Sequence, residues 1–207
     1  MVHFDCSHNK LTTLPSEIGN LVNLEEFHFY RNNLTTLPPE IGNLINLILF
    51  DCTYNNLTTL PSEIGKLVNL EKFDCSNNNL IMIPDEIQNL ILLDEFDCSQ
   101  NNLTMLPQGI GNLQVCKFNC CKNNLTILPH EIGGAKRLEE FNCADNNLIT
   151  LPDEISGLTN LKHVDCSGNN LTMLTFDVKN LINLKNFDYC GNPIEHKNPQ
   201  FDKFKWW

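Results

Sequence analysis

Apolar and polar residues along this chain follow two rhythms in turn. In Leu70-Glu71-Lys72-Phe73-Asp74-Cys75, Leu70, Phe73 and Cys75 fall on one side while Lys72 and Asp74 fall on the other. That alternation predicts a short strand with one buried face. At Asn78 it stops. An Asn here can turn the chain, its side chain bonding backbone groups that a bend leaves open. Leu80, Ile83, Ile87 and Leu90 then carry the apolar set on at wider spacing. Pro84 followed by Glu86 suits the first turn of a short helical segment, where a missing N–H is harmless and a negative charge meets the helix dipole. The predicted unit is a strand, an Asn turn and a short helical or irregular return.

The unit repeats. One Asn recurs at Asn9, Asn32, Asn55, Asn78, Asn101, Asn123, Asn146, Asn169 and Asn192, stepping by 23 residues except for a single step of 22. Written out, the repeat is L-x-x-F-D-C-S-x-N-N-L-T-x-L-P-x-E-I-G-x-L-x-N, and it occupies essentially the whole chain. It resembles the leucine-rich repeat, L-x-x-L-x-L-x-x-N-x-L, in a 23-residue form. Its LPxEIGxL half is similar to intracellular repeats of the Scribble and Ras-group type and to bacterial ones. The Phe-Asp-Cys variant is similar to repeats of amoebae and their giant viruses, which would imply a host cytoplasm. The resemblance implies an α/β solenoid, a horseshoe arc of about nine parallel concave strands with short helical or irregular convex segments. The physics asks for the same, because no single unit can bury its own apolar face and the units must stack. At ~4.8 Å per strand, nine strands give an inner arc of roughly 40 Å. The solenoid is expected over residues 1–194, its first repeat truncated, with an aromatic cap or tail over 195–207.

Stacking turns each repeat position into a column. Asp5, Asp51, Asp74, Asp97, Asp165 and Asp188 form one that faces the concave side, with His28, Asn119 and Asn142 in the remaining places. Like charges on neighbouring strands are unfavourable, so the column is a candidate for attracting a cationic partner. Cys6, Cys52, Cys75, Cys98, Cys120, Cys143 and Cys166 share a second position, where Phe29 and Tyr189 substitute. A position that accepts Cys, Phe or Tyr is a core position, and Cys behaves there as a small hydrophobe. Equivalent Cβ atoms of parallel neighbours lie a strand spacing apart, beyond the ~3.8 Å of a relaxed disulfide. Free thiols are therefore expected, in a reducing, intracellular, cytoplasmic compartment. Cys116, Cys121 and Cys190 fall at outward or edge positions. No C-x-x-C pair or His partner at ligand spacing accompanies them, so no metal or cofactor is expected. Asn33, Asn56, Asn102, Asn124 and Asn170 each open a formal Asn-Leu-Thr acceptor sequence, but the repeat itself dictates that tripeptide.

Charge narrows the partners. Against 14 Lys and Arg stand 25 Asp and Glu, a net −11. That balance argues against nucleic acid and anionic membranes and favours a basic protein surface. No apolar run approaches the ~20 residues of a bilayer span. No nucleophile elbow, phosphate-binding glycine loop or H-E-x-x-H motif occurs, so a non-catalytic interaction scaffold is the expected role. Departures from the repeat mark candidate contacts. Strand two reads Glu26-Phe27-His28-Phe29-Tyr30-Arg31 and strand three Ile48-Leu49-Phe50-Asp51-Cys52-Thr53-Tyr54. His28, Tyr30, Arg31, Ile48, Leu49 and Tyr54, with Asp51, Asp74 and Asp97, are the expected partner-binding set on or beside the concave face, since Tyr and Arg are favoured interface anchors. The ends differ from the middle. The first strand begins almost at Met1 without a preceding cap, so either something covers it or the chain is a fragment. At the other end Phe201, Phe204, Trp206 and Trp207 are expected to fold back over the last repeat. An assembly role through the first edge or this tail is the alternative, predicting a weak homodimer rather than a monomer. A receptor ectodomain would instead need a secretory signal, capping disulfides and occupied acceptor sites.

Overall fold

The computed structural model describes residues 1–195 and 199–201. Nine three-residue strands run parallel in one sheet in chain order: β1 (His3–Asp5), β2 (Glu26–His28), β3 (Leu49–Asp51), β4 (Lys72–Asp74), β5 (Glu95–Asp97), β6 (Lys117–Asn119), β7 (Glu140–Asn142), β8 (His163–Asp165) and β9 (Asn186–Asp188). The register holds repeat position against repeat position throughout, so Phe50 meets Phe73 and Asp51 meets Asp74. The sheet does not close, and the result is the open α/β solenoid expected of leucine-rich repeats.

The returns are 3₁₀ turns rather than α-helix. In Asp85–Asn89 the Ile87 N–H donates to Pro84 O at 3.1 Å and the Leu90 N–H donates to Ile87 O at 3.0 Å. Pro84 and its equivalents stand just outside the turn, in extended conformation, and not in its first helical position. Five residues are too few for α-helical bonds to outweigh their nucleation cost, so the tighter i→i+3 pattern wins.

Phenylalanine forms the spine. The rings of Phe50, Phe73, Phe96, Phe118 and Phe141 are all buried, with successive centroids 5.4–5.7 Å apart. Leu70, Leu80, Ile83, Ile87 and Leu90 are buried around it, as the apolar pattern requires. All ten cysteines are free. The repeat-position residues Cys52, Cys75, Cys98, Cys120, Cys143 and Cys166 are buried and Cys6, in the first repeat, is half-buried. Several thiols donate to a carbonyl of the next strand, Cys52 to Asp74 O at 3.4 Å and Cys166 to Asp188 O at 3.2 Å. Burial pushes all six buried thiols up, with the neighbouring carboxylates of the Asp column adding to the effect at Cys52 and Cys98.

The Asn column is the second internal ladder. Asn78 Nδ2 donates to Cys52 O, Cys75 O and Ser76 O at 3.0–3.2 Å, while its Oδ1 accepts from the Leu57 N–H at 3.0 Å. One buried amide thus ties two neighbouring repeats together. Just before it the chain passes through a left-handed residue in every repeat: His8, Arg31, Tyr54, Asn77, Gln100, Lys122 and Asp145 have φ between 52° and 55°, and Gly168 and Gly191 have φ 62° and 71°.

The 22-residue repeat loses its residue between the 3₁₀ turn Gln108–Asn112 and β6, where Leu113 is extended and Gln114 alone separates it from Val115. The sheet register is unaffected, Glu95 still facing Lys117. At the C-terminal end Phe176 replaces the usual return sequence and is buried against Phe187 and Phe201, at 5.8 and 5.3 Å between centroids. Phe201 therefore lies over the last repeat. Phe204, Trp206 and Trp207 lie outside the described residues.

Candidate functional site

Alternation in each strand sends its middle residue into the core and its outer two onto the concave face. Two columns result. The first runs His3, Glu26, Leu49, Lys72, Glu95, Lys117, Glu140, His163 and Asn186; the second is the Asp column. Together they floor a trough of 640 Å³ that extends from His28 and Leu49 to Asn186 and Asp188.

Signs alternate along the first column. Lys72 Nζ lies 3.4 Å from Glu95, and Lys117 Nζ lies 3.8 Å from Glu95 and 3.9 Å from Glu140. These exposed pairs are worth little in stability, but they leave this column nearly neutral. The negative charge of the trough sits in the Asp column.

That column also has a local duty that sequence reasoning did not identify. Beyond each strand the flanking N–H groups keep donating to the next repeat, as Cys75 and Asn77 do to Asp97 O and Ser99 O, but the N–H two residues on from this column is satisfied locally. Asp74 Oδ1 accepts from the Ser76 N–H at 2.9 Å, Asp97 Oδ1 from Ser99 at 2.8 Å and Asp188 Oδ1 from Cys190 at 2.9 Å. Asn119 and Asn142 do the same with their amide oxygens, at 3.1 and 3.0 Å. The fold thus favours a short side chain carrying an oxygen, although β2 forms with His28 at this place. The Asp/Asn mixture in the sequence was the available signal. Among these carboxylates Asp74 stands out: burial, with Asp97 and Asp51 on either side, raises it from 3.8 to about 6 against the opposing Ser76 hydrogen bond. Asp97 Oδ2 accepts from Asn119 Nδ2 at 2.8 Å.

The expected contact set does not form one patch. His28, Leu49, Asp51, Asp74 and Asp97 line the trough. Arg31 and Tyr54 occupy the left-handed turn beyond the strands, the Arg31 guanidinium 5.3 Å from the centre of the Tyr54 ring. Tyr30 is half-buried on the same rim, edge-on to His8 at 5.0 Å. Ile48 lies at the other end of the strand, beside Glu25, Glu71 and Leu92. A strand of only three residues cannot keep both flanking segments on its concave face, which is why the cluster divides. His28 lies 3.7 Å from Asp51 and 3.8 Å from Glu26. Among the described residues, no three His, Cys, Asp or Glu side chains converge as metal ligands, and no helix is long and apolar enough to cross a membrane.

Comparison with known proteins agrees with this architecture. No curated protein sequence matches the chain. Among solved structures, PEPR1–AtPEP1 is 27% identical over 89% of this chain and 27% of that one, with a TM-score of 0.77. The leucine-rich repeat ectodomain of the plant membrane receptor kinase GASSHO1/SCHENGEN3 from Arabidopsis thaliana, in complex with Casparian strip integrity factor 2, is 25% identical over 89% of this chain and 29% of that one, with a TM-score of 0.73. The functional domain of InlJ from Listeria monocytogenes, described as including a cysteine ladder, is 26% identical over 90% of this chain and 43% of that one, with a TM-score of 0.63. The chain therefore spans less than half the length of each. Family models for leucine-rich repeats match residues 1–21, 23–44 and 69–90 singly and 136–180 as a pair of copies. With more than half of its length so matched, the chain belongs to the leucine-rich repeat family.

Proposed function

We propose that this protein is a non-catalytic interaction scaffold that grips a protein partner with its concave face. The observation that carries the reading is the trough itself. It is a continuous sheet surface with half-exposed Leu49 near one end, a nearly neutral Lys/Glu column and a column of carboxylates beside it. Such a surface suits a partner presenting basic groups. The GASSHO1/SCHENGEN3 ectodomain, of the same fold, is described as in complex with another factor, which supports the class of role and not the identity of the partner. The free, buried thiols support a reducing, intracellular setting for that role. The net charge of −11 disfavours nucleic acid and anionic membranes as partners.

The test is a binding screen read on paired variants. Asp97→Lys with Leu49→Lys alters the trough and should abolish binding of a captured partner. Glu63→Lys, on the convex 3₁₀ turn Ser62–Lys66, should leave it intact. A partner whose affinity follows Glu63 and ignores the trough would refute the reading.

A further inference from the structure

The two residues that follow the Asn-Asn-Leu element in each repeat point outward on the flank next to the Asn ladder. In the first three repeats both are Thr. From the fourth repeat to the eighth, six of the ten equivalent places hold Ile81, Met82, Met105, Ile127, Ile149 and Met173, each between 53% and 64% exposed, and the other four stay Thr. The repeat does not require this, because Thr serves the same backbone position elsewhere in the chain. Stacking of neighbouring repeats sets these residues on successive rungs of the same flank, so they form one ridge.

Two further features accompany the ridge. Across its five rungs, residues 78–83, 101–106, 123–128, 146–151 and 169–174, not one residue is charged, as is also true of residues 32–37 and 55–60 in the second and third repeats, although 25 acidic and 14 basic side chains are distributed over the chain. Charge is confined to the borders, with Lys122 and Asp145 toward the sheet and Asp85 and Asp153 toward the 3₁₀ turns. An apolar, charge-depleted centre with a polar border, rich in adaptable Met, is the composition of a protein interface core. The six side chains also leave on the order of 600 Å² of surface in one strip, at the upper end for a patch on a monomer and approaching the ~800 Å² that each partner contributes to a standard dimer. For a molecule of net charge −11, an uncharged flank is where a second copy can approach without like-charge repulsion.

We propose that this flank is a self-association surface, on which two copies of the chain pack ridge against ridge about a two-fold axis. It is separate from the trough, so a dimer leaves both concave faces open.

Light scattering across ~1–200 μM protein in 0.15 M salt, where surface repulsion is screened beyond ~8 Å, tests it. The mass of the intact chain should rise with concentration from 23.6 kDa toward twice that value. Met105→Glu with Ile127→Glu should hold it at the monomer mass with unchanged circular dichroism. Met105→Thr with Ile127→Thr copies the rungs of the first three repeats, so it preserves the fold, and it should weaken the dimer at least tenfold. Val68→Glu, an exposed residue in the segment between a 3₁₀ turn and β4, should leave the dimer unchanged. A constant 23.6 kDa at every concentration would overturn the proposal. So would a dimer that survives both ridge variants, since it would use another surface.

Discussion

Asp74→Asn should stabilise the protein at neutral pH. Asp74 Oδ1 accepts from the Ser76 N–H at 2.9 Å, and an amide oxygen performs that duty at Asn119 and Asn142, so the substitution keeps the local turn. It removes a carboxylate that burial, Asp97 and Asp51 hold at about 6 instead of 3.8. Because the folded state binds this proton more tightly than the unfolded state, folding is favoured at low pH. The contribution is fully present below about 3.8 and is lost as pH rises through about 6. A gap of that size corresponds to about 3 kcal/mol, an upper figure, since the new amide must also find partners. Asn119 shows that it can, donating to Asp97 Oδ2 at 2.8 Å. Urea unfolding followed by circular dichroism at a series of pH values measures the difference between variant and parent. It should be about 1–3 kcal/mol in favour of Asn at pH 7.5 and close to zero at pH 4. A gain that does not change with pH, or a loss at pH 7.5, would mean that Asp74 is not held in its neutral form by its surroundings.

Three further outcomes follow from the ladders. Asn78→Ala leaves the Leu57 N–H without its acceptor and three carbonyls without a shared donor, and should cost about 3–5 kcal/mol by urea unfolding. Asn9→Ala removes only bonds to Cys6 O and Ser7 O in its own repeat and should cost less than about 1 kcal/mol, so equal losses would contradict the inter-repeat role. A Cβ at Gly111 would collide with the Glu131 carbonyl of the next repeat, whereas one at Gly157 meets only the mobile end of Lys136. Gly111→Ala should therefore lower Tm by roughly 5–10 °C and Gly157→Ala hardly at all. Under iodoacetamide at pH 8.5, mass spectrometry should find native-state modification confined to Cys6, Cys116, Cys121 and Cys190, with the six buried thiols reacting only in denaturant. Early labelling of Cys75 or Cys98 would show that the solenoid opens locally.

Repeat proteins are legible where a residue faces its own copies. The Asn spacing fixes the register of the sheet, since any slip would place Asn78 against a residue other than Asn55 and Asn101. The Cys column could be assigned to the core because the residues that replace it, Phe29 and Tyr189, are also apolar or nearly so. Three-residue strands were less legible. Apolar alternation shows which residues point inward but not how soon the chain leaves the sheet, so Tyr54 and Ile48 read as one cluster when they stand beyond opposite ends of the strand. The 3₁₀ character of the returns was hidden for a similar reason: five residues carry too little periodicity to separate i→i+3 from i→i+4.

The Asp column shows where a single sequence stops being informative and geometry has to take over. Read alone, a row of carboxylates on one face suggests an electrostatic function. The structure shows that the position is occupied first for its oxygen, which closes the turn at the end of the strand, and that Asn closes it equally well. Charge at this position is therefore not set by the backbone. Asp51, Asp74 and Asp97 stand as three adjacent carboxylates, and the middle one is raised to about 6 by burial and by its two neighbours. Replacing Asp by Asn along the trough separates the two roles, because it leaves every turn closed while changing the charge a partner would meet.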